Sequence, residues 1–416
     1  MAVMSFSTAA NVTGQMLWYP VLALFFRELG ASDFQASLAY GLIAAANAFL
    51  QLPGGVLADR FGRKRLIVWP TFVAAAAFVA AALSRSWVPL ALALFAQAAC
   101  SAIQAPSFVA LVAESVPADR RGEAFAYLEL WASAGIGLGP ILGALLLPYL
   151  PMAALFGLTA AVFVASAIAR QLWLRESLSR PFGNGGDAAT PRLVGDPTQP
   201  RSVGDPATSR PVANQATPRP VAGFRLSALF RGRLAWLTVT AIAISVAINL
   251  TLYGPFLPLL AYDVLGFTGA QIDILYASGP LFAAVLGVAM GRLLARKGGR
   301  LGVSLGLLLT GVSLVAFLAA PSFWVALAVI AVTGAAVQFT FIGYDDLRAE
   351  ATDEETRGRV VGALGSLSGA AGAIAVPLVG KLAGGPGPGL AIYIGAAFCV
   401  LGAVAAQRVG RAEPPG

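Results

Sequence analysis

Few residues in this chain could do chemistry. Its 416 residues include no histidine. No nucleophile sits beside a base, no Gly-rich loop of the nucleotide-hydrolase type is present, and no ligand cluster has metal spacing. An enzyme is therefore not expected, nor direct ATP hydrolysis, a cofactor or a metal. What remains is a small set of polar groups inside apolar runs. Glu129 stands seven positions past Gly122, about 10 Å into such a run at 1.5 Å per residue. A carboxylate at membrane depth is costly unless paired, wet or protonated. Glu129 thus reads as a proton carrier or, alternatively, as a structural or wet group. Asp345 and Asp346 sit near the end of a run and read as a solvated interfacial pair. The other polar groups are mainly amides and phenols. Asn11, Gln15 and Trp18 or Tyr19 share one helical face, as do Asn47 with Gln51, Gln97 with Gln104, and Asn249 with Tyr253; Gln338 stands in another run. Sparse polar groups on an apolar, aromatic wall suit a lipophilic or amphipathic ligand. For any single amide the alternative is an interhelical hydrogen bond.

The elements that must position these groups are membrane spans. Hydrophobic residues make up 58% of the chain and charged ones 12%, against about 25% charged in soluble domains. Apolar runs long enough to span a bilayer predict twelve helices, at 5–27, 33–58, 65–84, 88–113, 122–147, 152–174, 234–260, 270–294, 301–320, 322–347, 359–382 and 388–408. Before the first run there is no Lys or Arg, unlike the basic start of a cleaved signal, so that run is read as a retained span. Cys100 and Cys399 lie inside runs and read as small buried hydrophobes.

With the N-terminus cytoplasmic, only Arg27, Arg85 and Lys381 of the 28 basic residues fall outside. The positive-inside rule then places both termini in the cytoplasm of a multi-pass inner-membrane protein. The net charge of +8 follows from those loops and does not call for nucleic acid. Residues 175–233 differ in character. They are rich in Pro, Gly, Arg and Thr, and Pro191–Pro197 recurs as Pro200–Pro206. This segment reads as a disordered cytoplasmic linker; its arginines leave lipid contact as an alternative. On either side the chain repeats at a constant offset of 236. Leu29-Gly30 meets Leu265-Gly266, Gln35 meets Gln271, Gly55 meets Gly291, Gly62 meets Gly298, and Arg121-Gly122 meets Arg357-Gly358. The expected organisation is an N-terminal six-helix bundle (1–174), the linker, and a C-terminal six-helix bundle (234–416).

The link between the second and third runs reads Gly54-Gly55-Val56-Leu57-Ala58-Asp59-Arg60-Phe61-Gly62-Arg63-Lys64-Arg65. On Gly55, Asp59, Arg60, Gly62, Arg63 and Lys64 it resembles the signature loop of the major facilitator superfamily. That resemblance implies the major facilitator fold, all-α with two parallel six-helix bundles around a site at mid-membrane. It also implies that the loop acts as a conformational latch, here Gly55, Asp59, Arg60, Gly62 and Arg63, which Glu114 and Arg121 can join. Asp59 would face the N-terminus of the eleventh helix. Its repeat counterpart is Ala295, so the second latch should be weaker. In the superfamily, spans 1, 4, 7 and 10 line the cavity. Gln15, Tyr19, Asn47, Gln97, Gln104, Asn249, Tyr253 and Gln338 are the expected lining. In span 5, Gly135, Gly139, Pro140 and Gly143 resemble the packing motif of twelve-span drug:proton antiporters, with Ala144 in place of its last Gly and no Arg in span 4. The resemblance implies proton-coupled efflux of a small lipophilic or amphipathic compound by a monomer in the bilayer. A proton-independent facilitator or uptake carrier is the alternative, and a non-transporting receptor is the alternative of another class.

Overall fold

The computed structural model describes residues 2–117, 120–174, 226–352, 357–385 and 387–409, and every regular element among them is helical. In chain order these are α1 (Ala2–Met16), α2 (Leu22–Glu28), α3 (Asp33–Phe61), α4 (Arg63–Ala82), α5 (Trp87–Glu114), α6 (Arg121–Leu146) and α7 (Met152–Trp173). There follow α8 (Gly232–Thr251), α9 (Phe256–Asp263), α10 (Gly269–Lys297), α11 (Gly299–Leu318), α12 (Phe323–Glu350), α13 (Arg357–Leu382) and α14 (Gly389–Val409). Among the described residues, ten stretches are long and apolar enough to cross a membrane, with α8 and α9 counted together. The broken first span (α1 and α2) and α3, whose hydropathy Asn47 and Gln51 lower, complete the expected twelve.

The repeat has a structural counterpart. Helices α3, α4, α5 and α6 contain 29, 20, 28 and 26 residues; α10, α11, α12 and α13 have the same lengths, each starting 236 residues later. The local devices recur as well. Ser32 and Gln35 close a capping box at the start of α3, and Thr268 and Gln271 do so for α10. Each box satisfies two orphan helix N–H groups. Gly62 (φ 91°) and Gly298 (φ 81°) make the one-residue links from α3 to α4 and from α10 to α11. Positive φ is a conformation in which a side chain is strained, which accounts for glycine at both places.

Helices α1 and α3–α7 pack mainly on one another: α1 on α6 and α7, α3 on α5, and α4 on α5 and α7. Likewise α8 packs on α13 and α14, α11 on α12 and α14, and α10 on α12. Two long contacts join the groups, α3 with α13 and α6 with α10, and α2 meets α9. Of the expected linker, 175–225 lies outside the described residues. Its last part is built in: Leu226–Phe230 forms a 3-10 turn on α8, with Leu229 buried and its carbonyl accepting from Thr238 Oγ1 at 2.9 Å.

Two expected spans are broken. The first stops at Met16 and resumes through a 3-10 turn at Tyr19–Val21; the seventh stops at Thr251 and resumes at Phe256. Pro20 and Pro255 lie in the breaks. Proline has no N–H and clashes with the preceding turn, so each helix loses part of its hydrogen-bond ladder there. Such breaks persist at membrane depth where protein groups satisfy the freed backbone.

Candidate functional site

A cavity of about 420 Å³ lies between the two groups of helices, beside both breaks. Its polar lining is Gln15, Tyr19, Tyr40, Asn47, Gln51, Gln97, Ser101, Asn249 and Tyr253. Trp18, Leu22, Ile43 and Leu94 supply apolar wall, and Gly365 and Gly369 of α13 form one side of it. No Asp, Glu, Lys or Arg lines it among the described residues. Tyr19 is the hub of the aromatic wall, with ring centroids 6.1 Å from Tyr40 and 6.4 Å from Tyr253. The amides are partly committed: Gln97 Nε2 donates to Ser101 Oγ at 2.8 Å and Asn249 Nδ2 to the Ser245 carbonyl at 2.8 Å. Their remaining polar atoms can meet a ligand.

The structure thus brings Gln15, Tyr19, Asn47, Gln97, Asn249 and Tyr253 to one cavity and leaves two expected lining residues off it. The Oε1 of Gln104 accepts from Thr71 Oγ1 at 3.3 Å, a tie between α5 and α4. It shares a face with Gln97 but lies about 10 Å further along the helix, past the cavity. Gln338 is exposed on α12 and does not line it. Sequence reasoning missed Tyr40, which lines the wall from α3, and the pairing of Arg27 with Asp263. The second was findable: these residues are separated by the repeat offset itself, 236.

One end of the cavity is shut. Arg27 grips Asp33 (Nε to Oδ1, 2.5 Å) and, across the two groups, both oxygens of Asp263 at 2.7 Å. The forked guanidinium suits such double engagement. Below this clasp Tyr19 donates its hydroxyl to the Tyr253 carbonyl at 2.7 Å. That carbonyl is freed by the break after α8, so the bond closes the site and satisfies the backbone together. Small residues let α3 meet α13 on this side. A Cβ on Gly41 would stand 2.7 Å from the Ala373 carbonyl, and one on Gly369 would stand 2.9 Å from Ala48 Cβ. Replacing Tyr19 by Phe is expected to weaken closure by about 1 kcal/mol, the net worth of one hydrogen bond. That is about a fivefold shift toward the opened form, readable as faster thiol labelling of a cysteine placed at Ser37.

The opposite, basic end is looser. Added Cβ atoms on Gly122, Gly362 and Gly365 would meet nothing within 4 Å. Glu129 is exposed there on α6, nine residues before the exposed Leu138. Nine residues turn a helix through about 180°, so Glu129 faces away from the apolar outer face carrying Leu138 and Leu145.

Of the expected latch residues, Arg63 pairs with Glu114, and Arg121 Nε donates to the Ala113 carbonyl at 2.9 Å. Both bonds join neighbouring segments of the N-terminal half. Arg60 is exposed, Gly55 lies in α3 and Gly62 makes the link to α4. The side chain of Asp59 lies outside the described residues. In the second half, Gly299 occupies the position of Arg63 and packs against Asp346 and Leu347 of α12, so the Arg63–Glu114 pair has no copy. The motif glycines of α6 face two partners. Gly135 and Gly139 abut Ala9, Thr13 and Met16 of α1, while Gly143 abuts the Leu17 carbonyl and Asp273 of α10, whose Oδ2 would stand 2.7 Å from a Cβ placed there; Pro140 is buried between them.

The sequence profile of the Major Facilitator Superfamily matches residues 4–253 and 239–416. The multidrug resistance protein MdtH of Klebsiella pneumoniae is 32% identical over 140 residues, 33% of this chain and 35% of that protein. A Na(+), Li(+), K(+)/H(+) antiporter of Planococcus maritimus is 32% identical over 136 residues, 31% of each chain. Such matches span a third to under half of the curated relatives' length. A bacterial homologue of the human lysosomal transporter Spinster superposes with a TM-score of 0.71 at 15% identity, covering 99% of this chain and 96% of the other. The profile covers nearly the whole chain in two overlapping matches, and the fold agrees with it. The chain belongs to the Major Facilitator Superfamily, a family made up of transporters rather than enzymes.

Proposed function

We propose that this transporter exports a small, uncharged or weakly charged amphipathic compound by rocking its two bundles, 1–174 and 234–416, about the central cavity, in exchange for protons. The observation that carries the reading is the cavity itself. It sits at the interface between the bundles, is lined by amides and phenols on an aromatic wall without a formal charge, and is shut at one end only. A charged substrate would lose hydration there without a counter-charge, which favours a neutral or aromatic-compatible one. The positive-inside rule assigns the basic end to the cytoplasm. The conformation is then inward-open, with the Arg27 clasp as the closed outer gate. Alternation exchanges that clasp for the basic-end latch around Asp59, and Glu129, in the inner vestibule, can exchange a proton with the cytoplasm.

The reading is tested in proteoliposomes with an internal pH dye and imposed gradients of candidate substrates. Proton flux that requires a given substrate supports antiport and identifies the ligand class. Substrate movement without proton flux replaces antiport by facilitated transport, a reading favoured by the absence of any carboxylate, among the described residues, from the cavity wall. Glu129→Gln is expected to abolish gradient-driven accumulation while leaving substrate exchange without a gradient. Normal accumulation in that variant removes Glu129 from the proton path.

A further inference from the structure

The most conspicuous titratable group lies outside the cavity. Asp273 stands four residues into α10, is fully buried, and neither carboxyl oxygen has a hydrogen-bond partner among the described residues. It sits in the seam that closes the Arg27 end. Its Oδ2 and the Leu17 carbonyl both face Gly143 of α6, so close that a Cβ on Gly143 would strike each of them. Gly143 therefore admits Asp273 to the interface between the bundles.

An ionised carboxylate stripped of water and of donors is prohibitively costly, whereas a protonated one costs only a few kcal/mol. No cation faces it. The stretch of α6 from Trp131 to Leu146 has no ionisable side chain, and neither do Phe323–Val337 of α12 or Leu309–Leu318 of α11. On its own helix, Tyr276 interacts with it electrostatically, and Tyr19 and Tyr253 in turn face Tyr276. From α9, which packs on α10, Asp263 is held by Arg27, and Tyr262 is exposed. Phenols are neutral and cannot counter a carboxylate.

We infer that Asp273 is a proton-operated lock on the outer gate: it carries a proton while α6 and α10 are closed, and releases that proton to external water when they part. The inference rests on the alternating-access reading but not on proton antiport. Its sign is fixed by linkage. The closed form holds one proton that the opened form gives up, so acid favours closure and alkali favours opening, by at most about tenfold in the ratio per pH unit.

The test uses the full-length protein with Cys100→Ala and Cys399→Ala, spin-labelled through Ser86→Cys and Pro321→Cys, two exposed positions flanking the outer gate. Distance distributions are recorded without substrate between about pH 5 and pH 9. The wild-type background is expected to gain the longer, opened distance as pH rises. Asp273→Asn, which is isosteric and permanently neutral, is expected to stay closed across that range. A wild type whose distances ignore pH or open with acid overturns the inference, as does an Asp273→Asn response equal to the wild type's. Coupled proton flux is measured separately on the same preparations. Flux present with an unchanged Asp273→Asn distance response defeats the lock and spares antiport. Flux absent with the pH response lost in the variant defeats antiport and spares the lock.

Discussion

Gly41→Val is expected to abolish transport while leaving the protein folded, whereas Gly54→Val on the same helix is expected to prevent folding. Both glycines lie on α3, and both sit against backbone. A Cβ at Gly41 would stand 2.7 Å from the Ala373 carbonyl and 2.8 Å from Pro377 Cδ, both on α13 in the other bundle. A Cβ at Gly54 would stand 2.6 Å from the Ile103 carbonyl and 2.8 Å from Ile103 Cα, on α5 of its own bundle. Neither clash can be relieved by a change of side-chain rotamer, and overpacking of this kind costs about 1–3 kcal/mol or more. The difference is when the cost applies. The α3–α5 crossing exists in every state of a rigid bundle, so Gly54→Val loses stability outright. The α3–α13 approach belongs to the state closed at the Arg27 end, so Gly41→Val destabilises that state alone. A penalty of about 3 kcal/mol changes the population ratio by more than 100-fold toward the opened form. Size-exclusion profiles and melting temperatures separate the two variants, and thiol labelling at Ser37 reads the opening. Equal loss of folded protein in both would remove the distinction between bundle core and moving seam.

How far such seams are legible in the sequence depends on which interaction makes them. The duplication could be read because its marks are local. Gly30 and Gly266 turn at positive φ, and Gln35 and Gln271 close capping boxes; local geometry demands the same residue types at the same offset. The helix breaks were half legible. Pro20 and Pro255 signalled kinks, but only the tertiary structure shows Tyr19 hydrogen-bonded to the carbonyl that the second break frees. The cavity was read from shared helical faces. Face periodicity fixes direction but not depth, so Gln104 was grouped with Gln97 although it lies two turns beyond. Asp273 escaped for a related reason. A carboxylate four residues from a helix start reads as interfacial, and its burial comes from Gly143 and the turn at Leu17, 130 residues and more away in sequence.

The rigidity of the N-terminal bundle, on which the proposed rocking depends, leads to the second large effect. Arg170 of α7 is only 3% exposed, and among the described residues no carboxylate pairs with it. Its Nε donates to Ser7 Oγ and its Nη1 to Thr71 Oγ1, both at 3.0 Å, tying α7 to α1 and α4. Each hydroxyl also donates to a backbone acceptor, the Met4 carbonyl at 3.1 Å and the Ile67 carbonyl at 2.7 Å, the Thr71 proton being shared with Gln104 Oε1 at 3.3 Å. The two sides of the interaction are therefore unequal. Removing the cation strands nothing, because both hydroxyls keep a backbone partner. Removing the hydroxyls strands a buried charge. Arg170→Met, which keeps the side-chain length, is expected to leave stability within about 1 kcal/mol of wild type or to raise it, as replacement of buried ionic groups by apolar ones often does. The double variant Ser7→Ala and Thr71→Val is expected to lose about 3–5 kcal/mol. Combining all three substitutions should restore most of that loss, since the charge that was stranded is gone. Thermal unfolding in detergent measures each step. A triple variant no more stable than the double would mean that the hydroxyls act by packing α1 against α4 rather than by solvating the guanidinium.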